Sequence, residues 1–330
     1  MDISIVIPLF NEEESLPELE AWLRRVMERE GFSYEVIMVD DGSKDDSWKI
    51  IGQLVQQSPH VRGIKFQRNY GKSAALNTGF LAAAGRVVVT MDADLQDSPE
   101  ELPELYRMIV EEGYDMVSGW KKNRKDPLLS KNIPSKFYNW TARMMTGIKL
   151  HDFNCGLKAY KREVVKSIEV YGDMHRYIPV LAKWAGFNKI GEKVVVHQER
   201  KYGTSKFGIE RFIRGPLDLM SVIFISRFGK RPMHFFGTLG LFIFILSFFA
   251  AGYIGINKLY RLQNHLPTIL VTDNPYFFIS LACMIIGTLL FVTGFLAELV
   301  SRYAPERNQY LIEEKIEGHR ERTNEGMKEQ

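Results

Sequence analysis

The stretch "VVVTMDADLQD", residues 87–97, decides the fold. Three valines, a threonine and a methionine form an apolar run without period-two alternation, the pattern of a strand buried on both faces. Two carboxylates, Asp92 and Asp94, follow where that strand runs out. A chain of 330 residues holds on the order of one Asp-x-Asp by chance, so the pair takes its meaning from its surroundings.

The same grammar recurs outward from it. "ISIVIPL" (3–9) is a short strand that runs into "FNEEES", and a helix begins at about Leu16 with Pro17 suited to its first turn. "YEVIMVDDGSKDDS" (34–47) is a strand that ends in a turn of Asp, Gly and Ser, and it leads into a helix over 46–57 and a strand over 61–66. "GKSAALNTGFLAAA" (71–84) reads as a helix of small residues. After the aspartates, Ser98-Pro99-Glu100-Glu101 combines an N-cap, a proline at the first helical position and acids in the first turn. Alternating strands and helices with apolar strand interiors predict an α/β domain, a mostly parallel sheet with helices on both faces. Such sheets bind ligands outside the carboxyl ends of their strands. Pro8 to Glu12, Asp40 to Ser43 and Asp92 to Gln96 are polar clusters at three such ends, so they fall on one edge. No G-x-G-x-x-G follows a strand, which argues against a dinucleotide-binding oxidoreductase.

A formal net charge of +3, from 43 basic and 40 acidic residues, gives no support to nucleic acid as a partner. Two cysteines, Cys155 and Cys283, are too few for a disulfide framework and suit a reducing compartment. "MDISIVIPLF" lacks a basic region and reads as a first strand, not as a signal peptide. Phe235–Ile256 and Tyr276–Ala297 each run 22 residues without a charge, long enough to cross the bilayer as helices. Arg211, Arg214, Arg227, Lys230 and Arg231 precede the first span, and Arg302, Arg307 and Lys315 follow the second. The intervening loop carries only Lys258 and Arg261, so both termini are expected in the cytoplasm. The expected organisation is a cytoplasmic catalytic domain over 1–207, a basic amphipathic juxtamembrane segment over 208–232, two spans within 233–300 and a charged tail over 301–330, partly disordered. Aromatic and basic residues over 126–150 suit a second interfacial segment.

Hard carboxylate ligands at Asp92 and Asp94 suit Mg2+ or Mn2+, which takes one or two protein carboxylates together with substrate phosphates. His and Cys show no zinc spacing, and His175 and His197 read as structural or surface residues. A diphosphate leaving group is the natural partner of such a cation.

Together "SIVIPLFNEEESL", "VDDGSKDDS", "NYGKSAALNTGF" and "MDADLQDSPE" resemble the family-two glycosyltransferases, whose fold is the glycosyltransferase-A type. "DFNCGLKAYKREVV", "HRYIPVLAKWAGF", "ERKYGTSKFG" and the two C-terminal spans look like the polyprenyl-phosphate branch, that of dolichyl-phosphate mannose synthase and bactoprenol glucosyltransferase. The resemblance covers essentially residues 3–300. It implies that Pro8, Asn11, Glu12 and Lys72 line the nucleotide-sugar pocket, that Asp41 meets the base, and that Asp92 and Asp94 hold the metal with Gln96 near the diphosphate. Asp152 matches an acid treated in that family as catalytic, and Arg200 and Lys206 match basic residues expected near phosphates. Two anionic substrates must meet, so further cations are required, with Arg124 and Arg176 as candidates.

The implied reaction is inverting transfer of a hexose from a nucleotide-sugar, UDP-glucose by default, to polyprenyl (undecaprenyl) phosphate at the cytoplasmic face of the inner membrane. A lipid phosphate is largely dianionic at pH 7, so Asp152 is expected to orient groups more than to abstract a proton. Two readings compete. A glycolipid- or polysaccharide-forming enzyme would share the fold, although the Q-x-x-R-W stretch of processive synthases is missing. A non-catalytic binder of nucleotide-sugar or lipid phosphate would not need an intact Asp-x-Asp. Two spans are few for a solitary bundle, which makes self-association an expectation.

Overall fold

The computed structural model describes residues 1–122, 143, 146–172, 174–199, 201–202, 232–302 and 312–317. Arg124, Arg200 and Lys206, the juxtamembrane segment over 208–231 and most of the 126–150 segment lie outside the described residues.

Strand β1 (Ile3–Leu9) enters helix α1 (Leu16–Glu30), then come β2 (Tyr34–Asp40), α2 (Ser47–Gln57), β3 (Val61–Phe66), α3 (Lys72–Ala82) and β4 (Val87–Thr90). Pro17 stands in the first turn of α1, and Gly31 closes that helix at φ 69°, a left-handed angle that glycine adopts without a Cβ penalty. A 3-10 turn, Pro99–Glu101, is capped by Ser98, whose side chain accepts the Glu100 N–H, and it opens α4 (Leu102–Val110). Strands β5 (Met116–Trp120) and β6 (Lys158–Lys161), helices α5 (Arg162–Ser167) and α6 (Ile178–Trp184), and β7 (Ile190–Val194) complete this part of the chain.

The sheet order is β7-β5-β6-β4-β1-β2-β3, and a last strand, β8 (Ile312–Glu317), pairs with β3. β1 runs parallel to β2 and β4, β2 to β3, and β5 to β7, whereas β6 lies antiparallel between β4 and β5. All seven residues of β1 and of β2 are buried, so both faces of the sheet are covered. Ile3, Ile5 and Ile7 share one core with Leu16, Leu19 and Leu23 of α1 and with Leu102 and Leu105 of α4. Burying each such side chain contributes about 1.5–3 kcal/mol relative to exposure. Val6 points the other way, against α3, and a Cβ at Gly79 would lie 2.2 Å from it. The small residues of α3 therefore let this helix settle close to the strands.

At the amino ends of the strands a buried network ties β1, β2 and β3 together. Ser4 Oγ donates to Glu35 Oε1 at 2.7 Å, Arg62 donates to Glu35 Oε2 at 2.8 Å, and the Ala84 N–H reaches Glu35 Oε1 at 2.8 Å. Burial disfavours the Glu35 carboxylate, but these bonds outweigh it and hold its pKa below the usual value.

The tail differs from its sequence-based expectation. Ile312–Glu317 forms β8, antiparallel to β3, where a charged and partly disordered end was expected. The open edge of β3 supplies unpaired backbone groups, and these can order a segment whose own composition cannot.

Helices α7 (Pro232–Gln263) and α8 (Pro275–Arg302) form a second unit. Both are long and apolar enough to cross a membrane, with a mean hydropathy of 2.3, and their large apolar side chains stay exposed, Phe242, Phe249 and Leu289 among them. A buried core helix of a soluble domain would hide those residues, so the exposure supports the membrane reading. The pair touches at glycine: a Cβ at Gly240 would lie 2.5 Å from the Gly287 carbonyl oxygen, and one at Gly287 would lie 2.7 Å from that of Gly240.

Candidate active site

β1, β2 and β4 are parallel, so the three polar clusters share one edge, as the sequence pattern implied. At the end of β1, Asn11 adopts φ 56°, an angle asparagine tolerates, and its N–H donates to Ser43 Oγ at 2.9 Å while its side-chain oxygen accepts the Lys44 N–H at 2.8 Å. The Glu12 N–H donates to Ser47 Oγ at 3.0 Å. Both residues thus fasten the β1 loop to the loop after β2.

Asp41 follows β2 and is 4% exposed. Its carboxylate accepts the Tyr70 N–H at 2.7 Å and the Gly71 N–H at 2.9 Å. Burial nevertheless dominates and pushes Asp41 up to about 6. A carboxylate offers about four acceptor positions, so capacity for a donor's base remains.

Asp92 stands just past β4 and pairs with Lys72 at the start of α3. Burial opposes its ionisation, but the charges of Lys72, Lys121 and Lys158 outweigh that and hold Asp92 down at about 2. Two residues on, Asp94 is buried and its Oδ1 accepts the Gln96 N–H at 3.2 Å. Between them and Gln96, Leu95 sits at φ 61°, in the left-handed region, which costs a non-glycine residue roughly 1–2 kcal/mol. Strain of this kind at the turn that presents Asp94 marks a constrained site. The Gln96 carbonyl accepts the Gln198 N–H at 3.0 Å.

β6 brings the chain back to this edge. Its antiparallel register sets Lys158 opposite Thr90, so the residues that precede β6 arrive beside Asp92. Thr90 Oγ1 donates to the Gly156 carbonyl at 2.8 Å. A Cβ at Gly156 would lie 2.5 Å from Asp92 Oδ2, so only glycine leaves the carboxylate its place. Lys158 is 4% exposed, with its ammonium on the Cys155 carbonyl, and burial pushes it below the ordinary lysine value. Lys121 pairs with the buried Asp97 at 2.7 Å. Burial works against that ammonium too, but Asp97 outweighs it and raises Lys121 above its ordinary value.

Pro8, Lys72, Asp92, Asn154, Lys158, His175 and Arg176 line one small cavity. The sequence reading left His175 as structural or surface. Its Nδ1 lies 3.2 Å from Ser73 Oγ, and burial together with Lys72 and Arg176 pushes it well below the usual histidine value, so it is neutral there. Asp152 is 3% exposed. Its N–H and that of His151 both donate to Glu192 Oε1, at 3.1 and 2.7 Å, and its Oδ1 accepts the Asn154 N–H at 3.0 Å. It therefore shapes the turn that presents Asn154 and does not itself line the cavity.

Among the described residues no group of three or more His, Cys, Asp and Glu could enclose a metal alone. Asp92 and Asp94 supply the two carboxylates that Mg2+ or Mn2+ needs when substrate phosphates complete its shell, and the side-chain-free space at Gly156 keeps Asp92 clear. The residues fit such an ion. Cys155 and Cys283 are both free thiols, the first of them buried.

A family model described as glycosyl transferase family 2 matches residues 4–169. The chain belongs to this family. Among its curated relatives, dodecaprenyl-phosphate galacturonate synthase of Rhizobium johnstonii is 37% identical, over 92% of this chain and 88% of that protein. Undecaprenyl-phosphate 4-deoxy-4-formamido-L-arabinose transferase of Shewanella sediminis is 36% identical, over 79% of this chain and 80% of that one. This family-two glycosyltransferase therefore stands among the polyprenyl-phosphate sugar transferases, the branch its motifs resemble. In structure it is similar to glucosyl-3-phosphoglycerate synthase from Mycobacterium tuberculosis, solved with Mn2+, uridine diphosphate and glucosyl-3-phosphoglycerate. The TM-score is 0.53 at 19% identity, covering 69% of this chain and 80% of that one, a likeness of fold.

Lys158, Lys121, Asn154 and His175 were missed as site residues. Asn154, Lys158 and His175 lie in stretches that the resemblance used without assigning them a role, and Lys121 lies outside every such stretch. The signal that could have found Lys158 is a lysine inside the otherwise apolar "GLKAY".

Proposed function

We propose that the protein transfers a sugar from a nucleoside-diphosphate sugar to a polyprenyl phosphate on the cytoplasmic face of the inner membrane. The observation that carries this reading is the Asp92/Asp94 pair, closing β4 among Lys72, Lys121 and Lys158 in a chain with two exposed apolar helices. Curated relatives are named for galacturonate and for 4-deoxy-4-formamido-L-arabinose, so these sugars replace glucose as the donors to test first.

In an inverting transfer, an acceptor phosphate oxygen forms a bond to the anomeric carbon while the bond from that carbon to the nucleoside diphosphate breaks. The acceptor phosphate has its second pKa near 6, so at pH 7 it attacks without giving up a proton. Asp92 and Asp94 would hold Mg2+ or Mn2+, which when bound offsets the charge of the departing diphosphate. Lys72 steadies Asp92, the β1 and β2 loops frame the nucleotide side, and Asp41 accepts from the base. Asp152 positions the 152–156 turn. Arg124, Arg200 and Lys206 are proposed to offset the acceptor's charge.

β8 bears on orientation. Its pairing with β3 puts Ile312–Glu317 on the same sheet as the strands of the N-terminal domain. An even number of spans and the basic flanks agree with that, and both termini are proposed to be cytoplasmic.

Membranes that contain the protein, incubated with polyprenyl phosphate and a panel of labelled nucleotide-sugars, test the reading. Label in the organic phase that depends on the lipid phosphate supports it. Donor hydrolysis alone, or label in polymer or another glycolipid, contradicts it.

A further inference from the structure

Three polar groups in the cavity behind Asp92 lack partners that match their chemistry. Arg176 Nε and Asn154 Oδ1 are buried with no hydrogen-bond partner among the described residues. The Lys158 ammonium, an obligate donor of three bonds when charged, rests on the Cys155 carbonyl. Buried polar groups in folded proteins are bonded with few exceptions, and leaving one unmade is costly, so this cluster is shaped for something that arrives. The charges say what kind of group. Lys72 is already matched to Asp92, whereas Lys158 and Arg176 form no ion pair among the described residues, and Lys158 senses Asp152 and Asp92 only at longer range.

Size narrows the choice further. The cavity holds about 20 Å3, room for a group no larger than one or two waters. Its remaining wall is apolar, with Leu76, Met91, Phe153 and Ile178. A prenyl chain does not fit there, and a tetrahedral phosphate is bulky for it. A planar carboxylate on the rim of a sugar ring is the smallest such anion and suits the flat donor edge of an arginine, while a hydroxyl of the same ring would donate to Asn154 Oδ1.

We propose that Lys158 and Arg176 form a carboxylate-reading subsite, which selects nucleoside-diphosphate hexuronates over donors carrying the matching neutral hexose. This rests on the transfer reaction proposed above. Both residues are specificity-determining and take no part in bond making. A neutral sugar would leave Lys158 and the Nε of Arg176 buried and unmatched, which is the condition under which an enzyme rejects an analogue strongly.

The full-length protein in proteoliposomes with polyprenyl phosphate, given UDP-galacturonate or UDP-galactose, makes the test, since these donors differ only at the sugar's C6. Wild type should favour the uronate in kcat/KM by about 100-fold or more. Lys158→Met and Arg176→Gln should each bring the ratio to within about tenfold by losing uronate turnover, with the KM for polyprenyl phosphate unchanged, and Arg176→Lys should keep part of the preference. Calorimetric binding of the two donors by the solubilised protein gives the same comparison without turnover, and melting curves show whether a variant is folded. A wild type indifferent to the acid, or one that binds neither donor, overturns the proposal. So does a rise in acceptor KM that is equal for both donors, which would assign the cations to the lipid phosphate. Lipid-linked product formed from the neutral donor as efficiently as from the uronate leaves the transfer reaction standing and removes this inference alone. Selective uronate binding without lipid-linked product does the reverse.

Discussion

At the amino ends of the strands, Glu35 is 2% exposed, and Ser4, Arg62 and the Ala84 N–H all donate to its two oxygens. At the carboxyl ends, 4%-exposed Lys158 leans on one carbonyl, while Arg176 Nε and Asn154 Oδ1 are buried with no partner among the described residues. The domain thus carries a completed network around Glu35 on β1, β2 and β3 and an incomplete one around Lys158, Asn154 and Arg176 at the opposite edge. A completed network can only stabilise. An incomplete one sacrifices stability in the empty protein and regains it when a ligand supplies the missing partners, acceptors for Lys158 and Arg176 and a donor for Asn154 Oδ1. That asymmetry separates the scaffold from the site.

The comparison can be broken first at the scaffold edge. Glu35→Ala leaves Arg62 and the Ala84 N–H without their acceptor and should cost about 3–5 kcal/mol. In the detergent-solubilised protein this is a fall in Tm of roughly 10 °C, with sugar transfer preserved at low temperature. A fall in Tm of a degree or two would show that the network is not structural.

At the site edge the expected effects reverse. Gly156→Ala places a Cβ against Asp92 and should lower kcat about 100-fold, close to 3 kcal/mol in the barrier, with Tm nearly unchanged. A large fall in Tm with normal turnover of the folded fraction would make Gly156 a packing residue.

The smallest effect is in pH dependence, where the two edges carry opposite signs. Glu35 has a lowered pKa, so its contribution to stability is present above the ordinary carboxylate value and lost as the pH falls through the folded one. Asp41, pushed up to about 6 by burial, favours the fold most below its unfolded value, and that contribution is lost as the pH rises through about 6. For donor binding, Asp41 gains a proton and loses acceptor strength as the pH falls through about 6. Donor KM should therefore rise severalfold between pH 7 and 5.5, and Asp41→Asn should flatten that rise. An unchanged slope in the variant would remove Asp41 from donor binding.

How much of this the sequence disclosed depended on the range of the interaction. β1, β2, β3 and β4, the helices between them and both spans announce themselves through local patterns: apolar runs, Pro17, Ser98-Pro99 and 22 uncharged residues. Asp41, Asp92, Asp94 and Gln96 were legible because they follow those strands directly. β5, β6 and β7 were not read, since "MVSGW", "KAYK" and "IGEKV" break their few apolar residues with glycine, serine or charge and lack the apolar run that marks β4. β6 also runs antiparallel, so Lys158 reaches the site from the far end of a long connection. β8 is "IEEKIE", a charged stretch that becomes a strand only because β3 offers it an edge. Local chemistry revealed the acids, whereas tertiary pairing set the cations around them.

The most direct check is lipid-linked sugar synthesis by membranes carrying Asp92→Asn together with Asp94→Asn, assayed with and without added Mg2+ or Mn2+. If these carboxylates grip the cation that carries the donor's diphosphate, synthesis should fall at least 1000-fold, about 4 kcal/mol in the barrier, and lose its response to metal while the protein remains folded. Undiminished synthesis that still responds to the metal would contradict the assignment of this edge as the site of transfer.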